Sequence, residues 1–291
     1  MKIRLLAVAG FTALALSGCS SDPVAGVPVQ LPAAALVRYV NAVPDTSALV
    51  FRFVDGDVEA SPQFNDVAFR QFTAYQRARA GQRRLRVFTD AAPYGSNIAV
   101  ATQQHVDTTF NFEVDKRYTI ISYGFARTSG TPRHRLVIVE DVFPTTITAA
   151  QVGVRTIHGA ANVGNVDVYI QPSEAPAGIA GVMAAAANVG PLARTAWVPL
   201  SARPVGPLLY RWDVAAAGST AALTVSPNAG LPGVVGTAAQ NALSGFQVGR
   251  SLITAIVFGP SVVGSRAPQG GEFANAGLRF LPDRHLDTTE P

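Results

Sequence analysis

Apolar and polar residues alternate with a period of two in short runs along most of this chain. In the first run Val37 and Tyr39 fall on one side, and Arg38 and Val40 on the other. That is the pattern of a strand whose side chains point to opposite faces. Leu49, Phe51 and Phe53 share a face in the next run, and Arg52 takes the other. Val43-Pro44-Asp45 separates the two, and Asp55-Gly56 closes the second; both are turn chemistry. Further strands are predicted over 67–75, 82–88, 98–102, 109–114, 118–123 and 136–140, with no convincing amphipathic helix among them. About seven or eight short strands in about 110 residues predict an all-β fold, an immunoglobulin-like sandwich. The disulfide of antibody domains is absent.

The layout occurs twice. Val154-Arg155-Thr156-Ile157-His158-Gly159-Ala160, then Val166-Asp167-Val168-Tyr169-Ile170, repeats the opening pair of runs. At a constant offset Phe72 aligns with Trp197, Tyr75 with Leu200, Gly81 with Gly206 and Arg86 with Arg211. Phe112-Glu113-Val114 matches Phe246-Gln247-Val248, Tyr118 to Gly124 matches Leu252 to Gly259 with one extra residue, and Leu136-Val137-Ile138-Val139 matches Leu278-Arg279-Phe280-Leu281. The offset grows in steps, as insertions confined to loops would make it. The largest insertion falls near 173–191, where the Ala-rich run 179–187 is predicted as a short helix over one edge. The fold class predicted is two immunoglobulin-like β-sandwich domains in tandem, over 34–148 and 149–291.

Val37-Arg38-Tyr39-Val40-Asn41-Ala42, with Pro44-Asp45 after it, and its second copy at 154–160 resemble the opening motif of the bacterial domain of unknown function 4397. The Asp-Gly turn after the second strand and the Tyr75-x5-Gly81 segment fit the same resemblance, which covers most of 34–283 in two copies. The second copy departs where Leu200 replaces the tyrosine and Gln171-Pro172 replaces Asp-Gly. The resemblance implies an exported or envelope protein. The family brings no established activity, so no functional residue is carried over.

The N-terminus supplies an address. Lys2 and Arg4 precede an apolar run that ends in Leu16-Ser17-Gly18-Cys19. A charged start, a short apolar stretch and small residues before a cleavage point make a secretory signal peptide over 1–18. Leu-Ser-Gly-Cys resembles a bacterial lipobox, which implies lipidation of Cys19, the only cysteine. Residues 19–33 then read as a Pro- and Gly-containing tether. It could reach on the order of 40 Å at roughly 3.3 Å per residue. Ser20 after the cysteine leans, by resemblance to enterobacterial sorting, toward the outer membrane. Several acyl chains on one residue suffice for stable anchoring. With its one thiol lipidated, the protein has no disulfide and is stabilised by its core alone.

Composition narrows the chemistry. Apolar residues make up 48% and charged residues 14%, so burial is feasible and wholesale disorder is not expected. Losing Lys2 and Arg4 lowers the formal charge from +4 to near +2, too little to argue for nucleic acid. His105, His134, His158 and His285 show no metal-ligand spacing, and no cofactor fingerprint is present. His158 occupies the repeat position of Asn41, so a shared role is expected: a polar residue at a strand end that bonds turn backbone. Asp55-Gly56-Asp57 with Glu59 and Asp45 reads as a hairpin turn rather than a calcium loop.

Arg77, Arg79, Arg83, Arg84 and Arg86 form a local basic excess, and Arg84 and Arg86 share a strand face. They suit an anionic envelope polymer, lipid headgroups or an acidic envelope protein. A solvated sheet face that discourages edge aggregation is the plainer reading. The sequence therefore points to a lipid-anchored envelope protein that binds or spaces, with no cofactor and no metal. The alternative is an envelope carbohydrate- or peptide-processing hydrolase with a site between the domains.

Overall fold

The computed structural model describes residues 32–55, 62–89, 104–127, 129–207 and 209–286. The expected signal peptide, Cys19, most of the tether, Gly56, Asp57, Glu59 and the strand expected at 98–102 lie outside the described residues.

Among the described residues sixteen strands fall into two sandwich-like halves. The first holds β1 (Ala34–Asn41), β2 (Leu49–Phe53), β3 (Phe64–Val67), β4 (Gln76–Arg79), β5 (Gly81–Thr89), β6 (Gln104–Phe112), β7 (Arg117–Tyr123) and β8 (Arg135–Glu140). The second holds β9 (Gln151–His158), β10 (Val166–Pro172), β11 (Ala186–Val189), β12 (Val198–Ser201), β13 (Tyr210–Ala216), β14 (Ala222–Ser226), β15 (Ser251–Phe258) and β16 (Gly277–His285). One half has sheets ordered β4-β1-β7-β8 and β3-β2-β5-β6; the other has β12-β9-β15-β16 and β11-β10-β13-β14. The two orders are identical strand for strand. In both, the first strand runs parallel to the seventh and the other ladder pairs are antiparallel.

Backbone detail repeats as well. Left-handed residues recur at Asp66 and Asn188, at Arg70 and Leu192, and at Asp115 and Arg250. Tyr39 N–H donates to Thr73 Oγ1, and Thr156 N–H to Thr195 Oγ1. The shared role expected for Asn41 and His158 is present. Val43 N–H donates to Asn41 Oδ1 and Ala160 N–H to His158 Nδ1, while Asn41 Nδ2 reaches Val67 O and His158 Nε2 reaches Gly164 O.

Among the described residues, three of the apolar clusters fill the stack. Val37, Tyr39, Phe51, Leu85 and Ile120 lie inside the first sandwich, and Val154, Trp212, Phe246 and Ile253 inside the second. Between them, Val40, Ile121, Ile157, Ile256, Phe258 and Leu281 join the outer faces of the β1/β7 and β9/β15 sheets into a seam. Strand β15 is buried at all eight positions because both its faces are covered, which is why it reads as an almost continuous apolar run.

Three expectations are corrected. The strand expected over 67–75 ends at Val67; the chain turns through Arg70 at φ 66° before β4. The guanidinium of Arg70 crosses the seam to the carbonyls of Gly259, Glu272 and Asn275, and no regular strand allows that departure. The helix expected at 179–187 is absent, since Gly178 and Gly181 take positive φ and Ala186 already begins an edge strand. Repeat register also shifts: the shared backbone contacts equate Tyr75 with Trp197, and Arg86 with Asp213, rather than with Leu200 and Arg211.

Candidate functional site

The polar face of β1 meets the other half. Arg38 Nε donates to Thr119 Oγ1 at 2.8 Å, and Arg38 Nη2 to Asp283 Oδ1 at 2.5 Å. Thr254 Oγ1 donates to the second oxygen of Asp283 at 2.6 Å. The mirror set is also present. Arg155 Nε donates to Thr254 Oγ1 at 2.8 Å and Arg155 Nη2 pairs with Asp141 Oδ1. The second oxygen of Asp141 accepts from the Thr119 and Tyr75 hydroxyls, both at 2.7 Å. Each arginine thus holds a threonine of its own sheet and a carboxylate of the other half. The Tyr75 ring lies 4.6 Å from the Arg38 guanidinium, and the Trp197 ring 4.7 Å from that of Arg155.

These groups are closed off from solvent, with side chains no more than 2% exposed for both ion pairs. Burial opposes the charge on Arg38, but Tyr75, Asp283 and Asp141 outweigh it and its pKa lies above the ordinary value. Burial pushes the Asp283 carboxyl up against the pull of Arg38 and Arg155. Satisfied donors and acceptors on every side are what make such a cluster tolerable in an apolar seam.

Past Arg38 the seam opens into a groove of about 750 Å³. Leu36, two residues earlier on the same face of β1, sits at its mouth. Arg77 on β4 and Arg117 on β7 stand beside Leu36 at the same register, and Arg284 of β16 lines the same hollow together with Asp115. Phe72, Ala74 and Tyr75 form one wall. The other comes from a hairpin in which Val234 and Leu243 exchange backbone hydrogen bonds of 3.0 and 2.9 Å. Gly233, at φ +84°, and Gly245 cross there so closely that a Cβ on Gly245 would overlap the Gly233 backbone. His285 lines the far end, its Nε2 2.8 Å from Gly249 O.

The five candidate arginines separate. Arg84 and Arg86 both point outward and share Asp107, at 2.7 and 2.8 Å. The Arg84 hydrogen bonds hold the Asp107 carboxyl below the usual carboxylate range. Arg83 points inward instead, is 4% exposed, pairs with Asp55 at 2.7 Å and lies over the Phe53 ring. Arg77 and Arg79 stand on β4, in the other sheet, and only Arg77 reaches the groove. Asp45, considered with Asp55 for calcium, accepts the N–H groups of Ala126 and Arg127.

His105 and His134 are brought together, with ring centroids 5.5 Å apart, in a polar hollow that Arg127, Arg133 and Arg266 also line. Burial lowers the pKa of His134 to about 3. Among the described residues no group of three or more His, Cys, Asp or Glu side chains is placed to hold a metal ion.

A family model described as "Domain of unknown function (DUF4397)" matches residues 35–169. The match runs from β1 into β10, a little under half of the chain. No curated protein sequence matches. Among solved structures, one described as a "putative adhesin" from Bacteroides ovatus is 10% identical, with a TM-score of 0.27, covering 88% of this chain and 96% of its own. A "putative cell adhesion protein" from Parabacteroides distasonis is 11% identical, with a TM-score of 0.22, covering 87% and 99%. At those scores the two carry no argument about this chain.

The sequence reading missed Arg38, Arg155, Asp141 and Asp283. A signal existed: an arginine stands at the same place in both copies of an otherwise apolar opening strand.

Proposed function

We propose that this chain is a lipid-anchored protein of the cell envelope, tethered through Cys19 and residues 19–33, that acts as a non-enzymatic binding or structural module. Its body is two copies of one sandwich, 34–148 and 149–291, with the outer membrane as the favoured location. The observation that carries the reading is the seam. A hydrolase working between the halves would keep a carboxylate or histidine accessible there, yet the oxygens of Asp141 and Asp283 are engaged by arginine, threonine and tyrosine and shut away from water, and His285 is buried against Gly249 O. Two sandwiches locked in this way make a stiff body suited to presenting a surface. The repeated strand order and the repeated left-handed positions support the duplication.

Two measurements test it. Cys19→Ala should abolish labelling by a clickable fatty acid and release the protein from the membrane fraction; undiminished labelling removes the anchor. The tagged protein should co-sediment with native envelope material without hydrolysing it. Turnover of an envelope glycan or peptide, lost on mutating a seam residue, would favour the hydrolase.

A further inference from the structure

The two ends of the seam are equivalent by the internal repeat and, among the described residues, are finished differently. On the second half the face of β9 beyond Arg155 carries Gly153, with Leu252 of β15 and Pro199 of β12 beside it in register. Ile147, from the segment entering β9, covers Gly153: a Cβ there would stand 2.7 Å from the Leu252 side chain and 3.0 Å from that of Ile147. Ile147 is itself buried. That end is therefore closed by the chain's own apolar side chains.

On the first half the corresponding three positions are Leu36, Arg117 and Arg77. Among the described residues the same geometry ends in the open groove, whose walls of Phe72, Leu231, Val234 and Leu243 are apolar; position 30, which the repeat equates with Ile147, lies outside them. Arginine has replaced an apolar residue and a proline at the mouth, and Arg284 adds a third guanidinium beside them. Val234 and Leu243 of the hairpin wall stay 43% and 55% exposed. The volume falls within the range of small-molecule sites, about 300–1,000 Å³.

We propose that this groove binds a single-chain amphiphile with an anionic head. The apolar chain lies between Phe72 and the 231–244 hairpin, as Ile147 lies over Gly153 at the other end. The head meets Arg77, Arg117 and Arg284, whose planar guanidinium groups suit carboxylate or phosphate oxygens. The buried Arg38–Asp283 pair forms the floor and keeps the chain out of the seam core. The inference rests on the binding-module reading above.

The test is isothermal titration of the full chain carrying Cys19→Ser, so that no acyl group of its own competes, below the micelle concentration of each probe. Dodecanoate should bind saturably at one site, at least tenfold tighter than dodecyltrimethylammonium. Ala74→Trp, at an exposed wall position, should abolish binding with an unchanged melting temperature. Arg77→Glu should weaken dodecanoate at least tenfold and narrow its advantage over the cationic probe. Equal affinity for the two probes, or dodecanoate binding that survives Ala74→Trp, overturns the proposal. So does binding that appears only after residues 20–31 are deleted, because the groove would then be the seat of the chain's own tether. Failure here with envelope co-sedimentation intact rejects the ligand alone; loss of co-sedimentation in the unmodified protein rejects the binding module.

Discussion

Arg38 and Asp283 stand 245 residues apart and meet at 2.5 Å, each almost without solvent exposure. Their mates Arg155 and Asp141 repeat the contact in the opposite sense, so each half donates one arginine and receives one. Truncating a single partner leaves a buried charge unmatched, which costs about 3–5 kcal/mol. Arg38→Met and Asp283→Leu should each lose about that much in urea denaturation. The double variant should recover most of it, because two apolar groups of similar size suit the seam. Strictly additive losses would show that the two side chains do not act as a pair.

The hairpin wall rests on the crossing of Gly233 and Gly245, which leaves no room for a β-carbon. Gly245→Ala must push the two strands apart next to Phe246, a buried residue of the second core. Overpacking of this kind costs about 1–3 kcal/mol. The expected result is a lower melting temperature together with faster proteolysis within 231–245. Gly206→Ala is the comparison: its backbone has positive φ but nothing lies within 4 Å of a Cβ there, so it should strain locally without opening the hairpin. Equal proteolysis of the two variants would remove the crowding argument.

Much of this architecture is legible in the sequence, for a physical reason. Alternation fixes which residues of a strand share a face, so Val37 and Tyr39, or Leu49 and Phe51, could be assigned to a core. The repeat of Asn41 by His158 was readable because both act on backbone only two residues away. Alternation does not say what a polar face will meet. Arg38 looks like a solvent-facing residue until a second sheet is laid on it, and its partner lies in the last strand. Register failed for a related reason. Aligning Arg86 with Arg211 instead of Asp213 is a slip of two residues, which keeps every side chain on its face and so leaves the pattern undisturbed. The run 179–187 looked helical because alanine favours helices; Gly178 before it and Gly181 within it, both at positive φ, and the edge of β10 decided otherwise.

Acid should weaken the fold through its histidines. Burial holds His134 at a pKa of about 3, against about 6.5 when unfolded. Burial lowers His105 and His158 as well. A depressed histidine pKa means the unfolded chain binds the proton first. The stability from keeping His134 neutral is complete above pH 6.5 and is lost as pH falls from 6.5 toward 3. The slope is up to about 1.4 kcal/mol per pH unit for one group. His134→Gln can still bond Ser122, 3.1 Å from the imidazole Nε2, and cannot titrate. Chemical denaturation at pH 7, 6, 5 and 4 should show a shallower decline for that variant; identical slopes would place the acid sensitivity elsewhere.

The β5 arginines separate folding from binding within four consecutive residues. Arg84 and Arg86 lie outward on Asp107, whereas Arg83 and Leu85 lie inward, with Arg83 against Phe53 and Leu85 fully buried. Arg84→Gln/Arg86→Gln removes charge at an exposed face without setting new carboxylates beside Asp107, so it should leave the melting temperature nearly unchanged. If these arginines contact an anionic envelope component, the same variant should lose the salt-sensitive part of its co-sedimentation, since exposed charges are screened over roughly 8 Å at physiological salt. Arg83→Gln should instead lower the melting temperature and leave binding per folded molecule unchanged, because its guanidinium is buried and pairs with Asp55 just beyond β2. Leu85→Asp should not fold, as it buries an unpaired charge. Melts and co-sedimentation at two salt concentrations, run on all three variants, decide the matter. Should Arg84→Gln/Arg86→Gln keep both its melting temperature and its full sedimentation, these two arginines are a solvated sheet face, and the anionic partner must be sought at the groove.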